Sequence, residues 1–327
     1  MLRSLRSRPG LVLAARWALG LAIVGFLLLR FDTAAVARAL QGVDFRLAAP
    51  AIGGLIAVHL LGAVAWHDLS IRLARVRLRW WPTITHYYAA QAVGSITPAN
   101  LGADAYRLAA GRDPSVGWTT LLVPIVVQRV TAQVALSLVA LAALVILPAS
   151  PSRLAILVVG AGLLIGSSTV LVLFRHPRLL GRLLRFVPER MRPGLSVKDV
   201  PGQDWRAALT NGISLAFAFH LVSIAMVYAI VVALSGYQDP PVLATIAVAR
   251  LSLLIPLSPS GLGFQEVALS VLFTQIGLSP ELALATALLN RLALVGTMAL
   301  GSALIVSGRI GTLTHRFEGT QQAASAD

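Results

Sequence analysis

Thr97-Pro98-Ala99-Asn100-Leu101-Gly102 and Ser258-Pro259-Ser260-Gly261-Leu262-Gly263 decide how this chain is read. Both follow the pattern [Ser/Thr]-Pro-x-[Asn/Gly]-Leu-Gly, offset by 161 residues. Each breaks an apolar segment in its middle, the first at 82–111 and the second at 242–277. Proline removes a helical donor and clashes with the preceding turn, and glycine admits dihedrals that other residues avoid. The arms on either side of each break are too short to cross a hydrocarbon core of about 30 Å, which needs about 20 helical residues. Both segments therefore read as helical hairpins that enter the membrane and return. A single kinked span is the competing reading, because proline kinks occur in membrane helices.

The rest of the chain supports a lipid setting. Of 327 residues, 57% are hydrophobic and 12% charged, and the mean hydropathy is +0.80. Soluble domains carry about 25% charge. In lipid only helices and closed barrels satisfy their backbone groups. Continuous apolar runs, rather than short alternating strands, exclude the barrel. Six runs are long enough to span: 11–29, 48–66, 119–147, 154–174, 212–234 and 281–306. The expected fold is an all-α polytopic membrane protein with six spanning helices and two re-entrant hairpins. Arg3, Arg6 and Arg8 before the first run imitate a signal peptide, with Ala35-Val36-Ala37 as a small-x-small site. Arg30, Asp32 and Arg38 surround that site, so the run reads as an uncleaved span.

The net charge is +14. In a soluble chain it would suggest nucleic acid. Here it reads as the cytoplasmic bias of basic loops. With the N-terminus inside and both hairpins returning, 18 basic residues fall inside and 4 outside. The expected location is a bacterial inner membrane with both termini cytoplasmic. The stretch 175–211 reads as a basic cytoplasmic linker, with headgroup binding as a further option. The tail 307–327 is cytoplasmic too. No cysteine is present, so disulfides and thiolate chemistry are excluded.

A second match falls near the same offset: Gln128-Arg129 against Asn290-Arg291. Each half then holds a span, a broken hairpin and a long span with an amide-Arg pair inside it. The units are 1–30, a first repeat at 48–147, a linking span at 154–174 and a second repeat at 212–306. Under the topology above the repeats are inverted. Inverted repeats with broken helices meeting at the midplane are a common transporter plan, and the helix ends at such breaks suit anionic groups.

Arg107, Arg129, Arg250 and Arg291 lie within apolar segments, near Asp104 and Glu266. Each charge at a helix centre costs about 2.5–3.5 kcal/mol, so such residues are expected to face the interior and pair. Arg129 and Arg291 admit two readings. They can present guanidinium groups to an anionic headgroup, or neutralise a hairpin carboxylate. Asp104 and Arg107 share a helical face and can pair locally. Glu266 has no arginine at i+3 or i+4 and needs a distant partner or a proton. Arg250 is expected to be the structural partner of Glu266 or of carbonyl groups. His59 and His220 read as packing residues, since no second ligand stands at metal spacing. Trp17, Trp66, Trp80, Trp81, Trp118 and Trp205 read as an interfacial belt, and His67-Asp68 as a span end.

The pattern Gly-x-Ser-x-Gly is absent around Ser260, as are a P-loop and a metal-binding His pair. No nucleophile and base stand out, so an enzyme is not expected, nor a cofactor or metal. A lipid-modifying enzyme and a non-transporting assembly protein stay open as other classes, as does a homo-oligomer.

Asn100-Leu101-Gly102-Ala103-Asp104-Ala105-Tyr106-Arg107, Gln128-Arg129 and Pro259-Ser260-Gly261-Leu262-Gly263-Phe264-Gln265-Glu266, followed by Arg291, resemble the motifs of the lysylphosphatidylglycerol synthase transmembrane-region family. This is the flippase-like part of the multiple peptide resistance factors and of stand-alone proteins. The resemblance runs from about Ala48 to Val306. It implies a lipid-translocating fold with two re-entrant hairpins around a cavity. The cargo would be a phospholipid, an aminoacylated lipid, a hopanoid or a lipid-linked sugar. It does not imply lysyl transfer, which belongs to an appended soluble domain. Gln128 stands where the family has Glu, and Gln133 where an acid is frequent, which makes the cavity more positive and favours an anionic lipid. The expected substrate contacts are Arg129, Arg291, Asn100, Gly102, Arg107, Gly261 and Gly263. The hairpin amides would act as an anion cradle, and Asp104, Glu266, Gln128 and Arg250 as gating or counter-charge residues.

Overall fold

A computed structural model describes residues 9–30, 32–97, 100–111, 118–147, 152–176, 204–254, 258, 260–311 and 313. Among them are twelve α-helices. They are α1 (Pro9–Arg30), α2 (Thr33–Gln41), α3 (Phe45–Ala57), α4 (His59–Ala74), α5 (Trp80–Ser95), α6 (Leu101–Ala110), α7 (Trp118–Ala143), α8 (Ser152–Arg175), α9 (Trp205–Ser235), α10 (Pro240–Ala249), α11 (Phe264–Gln275) and α12 (Pro280–Val306). A 3₁₀ turn, Arg250–Leu254, follows α10. The expected linker 175–211 lies largely outside the described residues, as do Pro98, Pro259 and most of the tail.

Five helical stretches are long and apolar enough to cross a membrane: Phe45–Ala74, Thr120–Ala143, Arg153–Leu173, Trp205–Ser235 and Pro280–Val306. They coincide with the last five expected spans. The first expected span is the 22-residue helix α1. The expected run 48–66 is longer than apolarity suggested, because helical hydrogen bonding continues past Trp66 through Asp68 and Arg72. Those two residues pair at i,i+4, Nε to Oδ1 2.8 Å, and so carry their charges within the helix.

The helix ends follow local chemistry. Asp32 caps α2 by accepting from the Ala34 and Ala35 amides, and Asp44 caps α3 by accepting from the Arg46 amide. Ser279 caps α12 ahead of Pro280 at its first turn. Gly236, at φ 69°, closes α9 in the left-handed conformation. Helix α2 was not expected; its Asp32 cap and the buried Val36 form it between the first two apolar runs.

Helix α9 packs against α3, α4, α7 and α12. Around it the two halves exchange arms. Helix α5, the first arm of one broken segment, packs on α12 of the other half, and α10, the first arm of the other, packs on α7. Close approach rests on glycine where α12 crosses α5: a Cβ on Gly301 would run into the Tyr88 carbonyl. Small residues at helix crossings are how membrane helices gain dispersion contact. Helix α8 packs on α7 and turns Leu154, Val158 and Ile165 outward.

Trp66 and Trp205 are buried, 3% and 9% exposed, and belong to the core rather than to a belt. Trp80 and Trp81 are exposed. His67 is buried as well: its Nε2 lies 3.0 Å from the Leu78 carbonyl and its ring stacks on Trp80. A span end placed there by sequence is thus an interior helix turn, because the ring finds a carbonyl and an aromatic face.

A candidate headgroup site between two broken helices

In the first broken segment the chain turns between α5 and α6 with Asn100 in the left-handed region, φ 58°. Asn100 Nδ2 donates to Gln91 Oε1 at 3.2 Å. The Thr97 hydroxyl accepts from the Gly102 amide at 2.8 Å and donates to the Gly94 carbonyl at 2.8 Å. Gly102 is required by contact: a Cβ there would stand 2.7 Å from the Val93 carbonyl oxygen. Its amide is satisfied inside the turn, by Thr97.

Helix α6 carries Asp104 and Arg107 one turn apart, and the two pair, Nη2 to Oδ1 2.5 Å. Arg107 is 7% exposed. It also donates to Gln128 Oε1 at 2.5 Å and lies over the rings of Trp66 and Tyr87, at 5.6 and 5.5 Å. Gln128 passes the chain of contacts on, its Nε2 donating to the Gly62 carbonyl at 2.7 Å. The second Asp104 oxygen pairs with Arg129 at 2.5 Å, and Arg129 donates to the Asn100 carbonyl at 3.3 Å.

The second broken segment repeats this chemistry. Ser260 and Gly261 take φ values of 47° and 67°. Glu266, 2% exposed, accepts from Arg291 Nε at 2.8 Å and Nη2 at 3.3 Å. Arg291 Nη1 donates to the Ser260 carbonyl at 2.9 Å. In each half, then, an arginine of a long helix holds one carboxylate and one carbonyl of its own break. The carboxylate stands 25 residues before its arginine in both. Arg129 and Arg291 each sit 11 residues into their helices, about 17 Å along the axis at 1.5 Å per residue. The two breaks also touch: the Ser260 hydroxyl donates to the Ser95 carbonyl at 3.1 Å.

A cavity of about 470 Å³ opens between the breaks. Arg107, Arg129, Arg250 and Arg291 line it, together with Asn100, Asp104, Gln128 and Gly261. Eight of the residues singled out by sequence therefore meet on one surface. Gly102 and Gly263 do not line it. Gly102 closes its own turn, and a Cβ on Gly263 would stand 2.7 Å from Ile23 of α1. Glu266 lies behind Arg291.

One sequence expectation is corrected here. Arg250 does not pair with Glu266, because Arg291 takes both carboxylate oxygens. Among the described residues Arg250 has no hydrogen bond or ion pair, and its buried Nε faces no acceptor. His59 and His220 also line the cavity rather than only filling the core. His220 Nε2 lies 3.0 Å from the Ala132 carbonyl, and each ring leaves a buried Nδ1 without a partner. Gln91, Gln133 and Asn290 add amide groups to the polar wall. Their sequence signal was the presence of uncharged polar side chains inside apolar helices, which is weak because such residues also serve helix packing.

The family model described as the lysylphosphatidylglycerol synthase TM region matches residues 13–301. No curated protein sequence matches the chain.

Proposed function

The chain belongs to the lysylphosphatidylglycerol synthase TM-region family and is a multi-pass membrane protein related to lipid handling, and from that premise and the geometry above we propose that it moves a lipid across the membrane. The lipid carries an anionic or phosphate-bearing headgroup. The headgroup passes through the central cavity between the two hairpins while the acyl chains stay in lipid. The observation that carries this reading is the cavity itself: four arginines and the Asp104 carboxylate line one void inside an apolar helical shell, with the Glu266 carboxylate behind Arg291. The charge excess is +2, and it favours a negative cargo. About 470 Å³ falls within the range of small-molecule sites, about 300–1,000 Å³.

The arms of the broken segments are 16, 10, 10 and 12 residues long, at most about 24 Å of helix. That length supports hairpins that enter the membrane and return. The exchanged packing of α5 on α12 and α10 on α7 supports two equivalent halves, and the loop charges support their inversion. We take the membrane to be the bacterial inner membrane, with both termini cytoplasmic. In this reading no bond of the lipid is made or broken. Asp104 and Glu266 are counter-charges that hold Arg129 and Arg291 while the site is empty and release them as an anionic headgroup arrives.

The test is leaflet exchange in proteoliposomes. Purified protein is reconstituted with a trace of fluorescent phosphatidylglycerol, and dithionite quenches the outer leaflet. Quenching beyond the outer-leaflet fraction is expected, and less of it with fluorescent phosphatidylcholine. Quenching equal to protein-free vesicles for both lipids would overturn the reading.

A further inference from the structure

Four arginines face the cavity, and their partners differ. Arg107 is held by Asp104, Gln128 and two aromatic faces. Arg129 is held by Asp104 and the Asn100 carbonyl. Arg291 is held by Glu266 and the Ser260 carbonyl. Arg250 stands where α10 passes into the 3₁₀ turn, within electrostatic reach of His59 and His220. No described residue accepts a hydrogen bond from it or pairs with it, and its Nε is shielded from water. A guanidinium without an acceptor is unfavourable in an apolar shell, and an anion entering the cavity that Arg250 lines reduces that penalty.

The surrounding atoms narrow the anion. The contact of His220 Nε2 with the Ala132 carbonyl requires a proton on that nitrogen, so Nδ1 of the neutral ring carries a lone pair. That Nδ1 has no donor, and Nδ1 of His59 has no partner either. The cavity wall thus carries a cationic donor without an acceptor and, on His220, an acceptor nitrogen without a donor. A phosphodiester beside a hydroxyl or ammonium group satisfies both, with phosphate oxygens on the guanidinium and the neighbouring N–H or O–H on an imidazole.

Resting on the lipid-moving function proposed above, we propose that Arg250, with His220 as acceptor on the same cavity wall, is the residue that first takes the phosphate of a phospholipid headgroup, while Arg129 and Arg291 still close the two breaks and are released to it only afterwards. The experiment uses full-length protein in detergent with dioctanoyl phosphatidylglycerol as probe. Binding is measured by calorimetry, and melting with and without lipid by intrinsic fluorescence. Arg250→Gln is expected to weaken lipid binding at least tenfold, to abolish the lipid-induced rise in Tm, and to leave the lipid-free Tm equal to or above that of the parent. Arg250→Lys is expected to bind between the two. Equal affinity in Arg250→Gln and the parent overturns the assignment while leaving the function above intact. So does a fall in lipid-free Tm with affinity retained, which is the signature of a structural arginine. A parent protein that binds no lipid removes the function above and this assignment with it. Inorganic phosphate is the second probe: a Tm rise of the parent with phosphate alone, as large as that with lipid, would give Arg250 a soluble ligand and overturn the lipid assignment.

Discussion

Glu266 and Arg291 show why a charge can persist at the depth of a membrane. The carboxylate is almost fully buried, and three hydrogen bonds leave the guanidinium, two to it and one to a carbonyl. Breaking one side of such a pair strands the other, at a cost of about 3–5 kcal/mol. Glu266→Gln should therefore lower Tm strongly in detergent, and Glu266→Gln with Arg291→Gln should recover part of the loss. Equal Tm for Glu266→Gln and the parent would show that the pair does not hold the second broken segment. Gln128 poses a different question, because the family resemblance leads one to expect an acid there. Its amide is used at both ends, accepting from Arg107 and donating to the Gly62 carbonyl. A carboxylate could keep the first contact and would lose the second. Gln128→Glu should cost about 1–3 kcal/mol for the orphaned carbonyl. It should also reduce the preference for anionic over zwitterionic lipid in co-purification measured by native mass spectrometry.

The two broken segments gain their positions from one another and from the opposite half. Each break is closed by its own polar contacts, with Thr97 bridging Gly94 and Gly102 in the first and the Ser258 hydroxyl donating to the Leu262 carbonyl in the second. Their placement comes from α5 lying on α12 and α10 on α7. At the first of these crossings Gly301 abuts the Tyr88 backbone, which cannot rotate aside as a side chain can. Gly301→Leu should separate α5 from α12 and cost about 1–3 kcal/mol. The check is thermal unfolding alongside leaflet exchange, and Gly25→Leu, where a Cβ meets nothing within 4 Å, is the control. Equal Tm for Gly301→Leu and Gly25→Leu would show that this crossing is not tight.

For the whole molecule the separation of charge from oil is the governing fact. Helix α8 presents Leu154, Val158 and Ile165 outward, while the basic residues Arg75, Arg77 and Arg79 cluster where α4 ends. The absence of cysteine makes orientation directly testable with single substitutions. Arg38→Cys should react with a membrane-impermeant maleimide in intact spheroplasts, and Arg77→Cys only after permeabilisation. Both side chains are exposed in the fold, so the reverse labelling would invert the topology rather than report burial.

Apolar run length and the two Pro-Gly breaks were enough to give an all-helical chain, the limits of five spanning helices to within a few residues at most ends, and the candidate residues. This follows because a lipid environment leaves the backbone no alternative to internal hydrogen bonding. Sequence also narrowed the partners of Arg129 and Arg291 to two carboxylates. It could not say which cation stays unpaired. Arg250 looked like the natural mate of Glu266, and only the folding of α12 against α11 put Arg291 there first. A cavity was expected from the family resemblance, but its lining, with the imidazoles of His59 and His220, was not legible, since it arises where helices distant in the chain leave space between them. Local periodicity records which residues avoid water; which polar atoms meet, and which are left waiting, is settled by the crossing of helices.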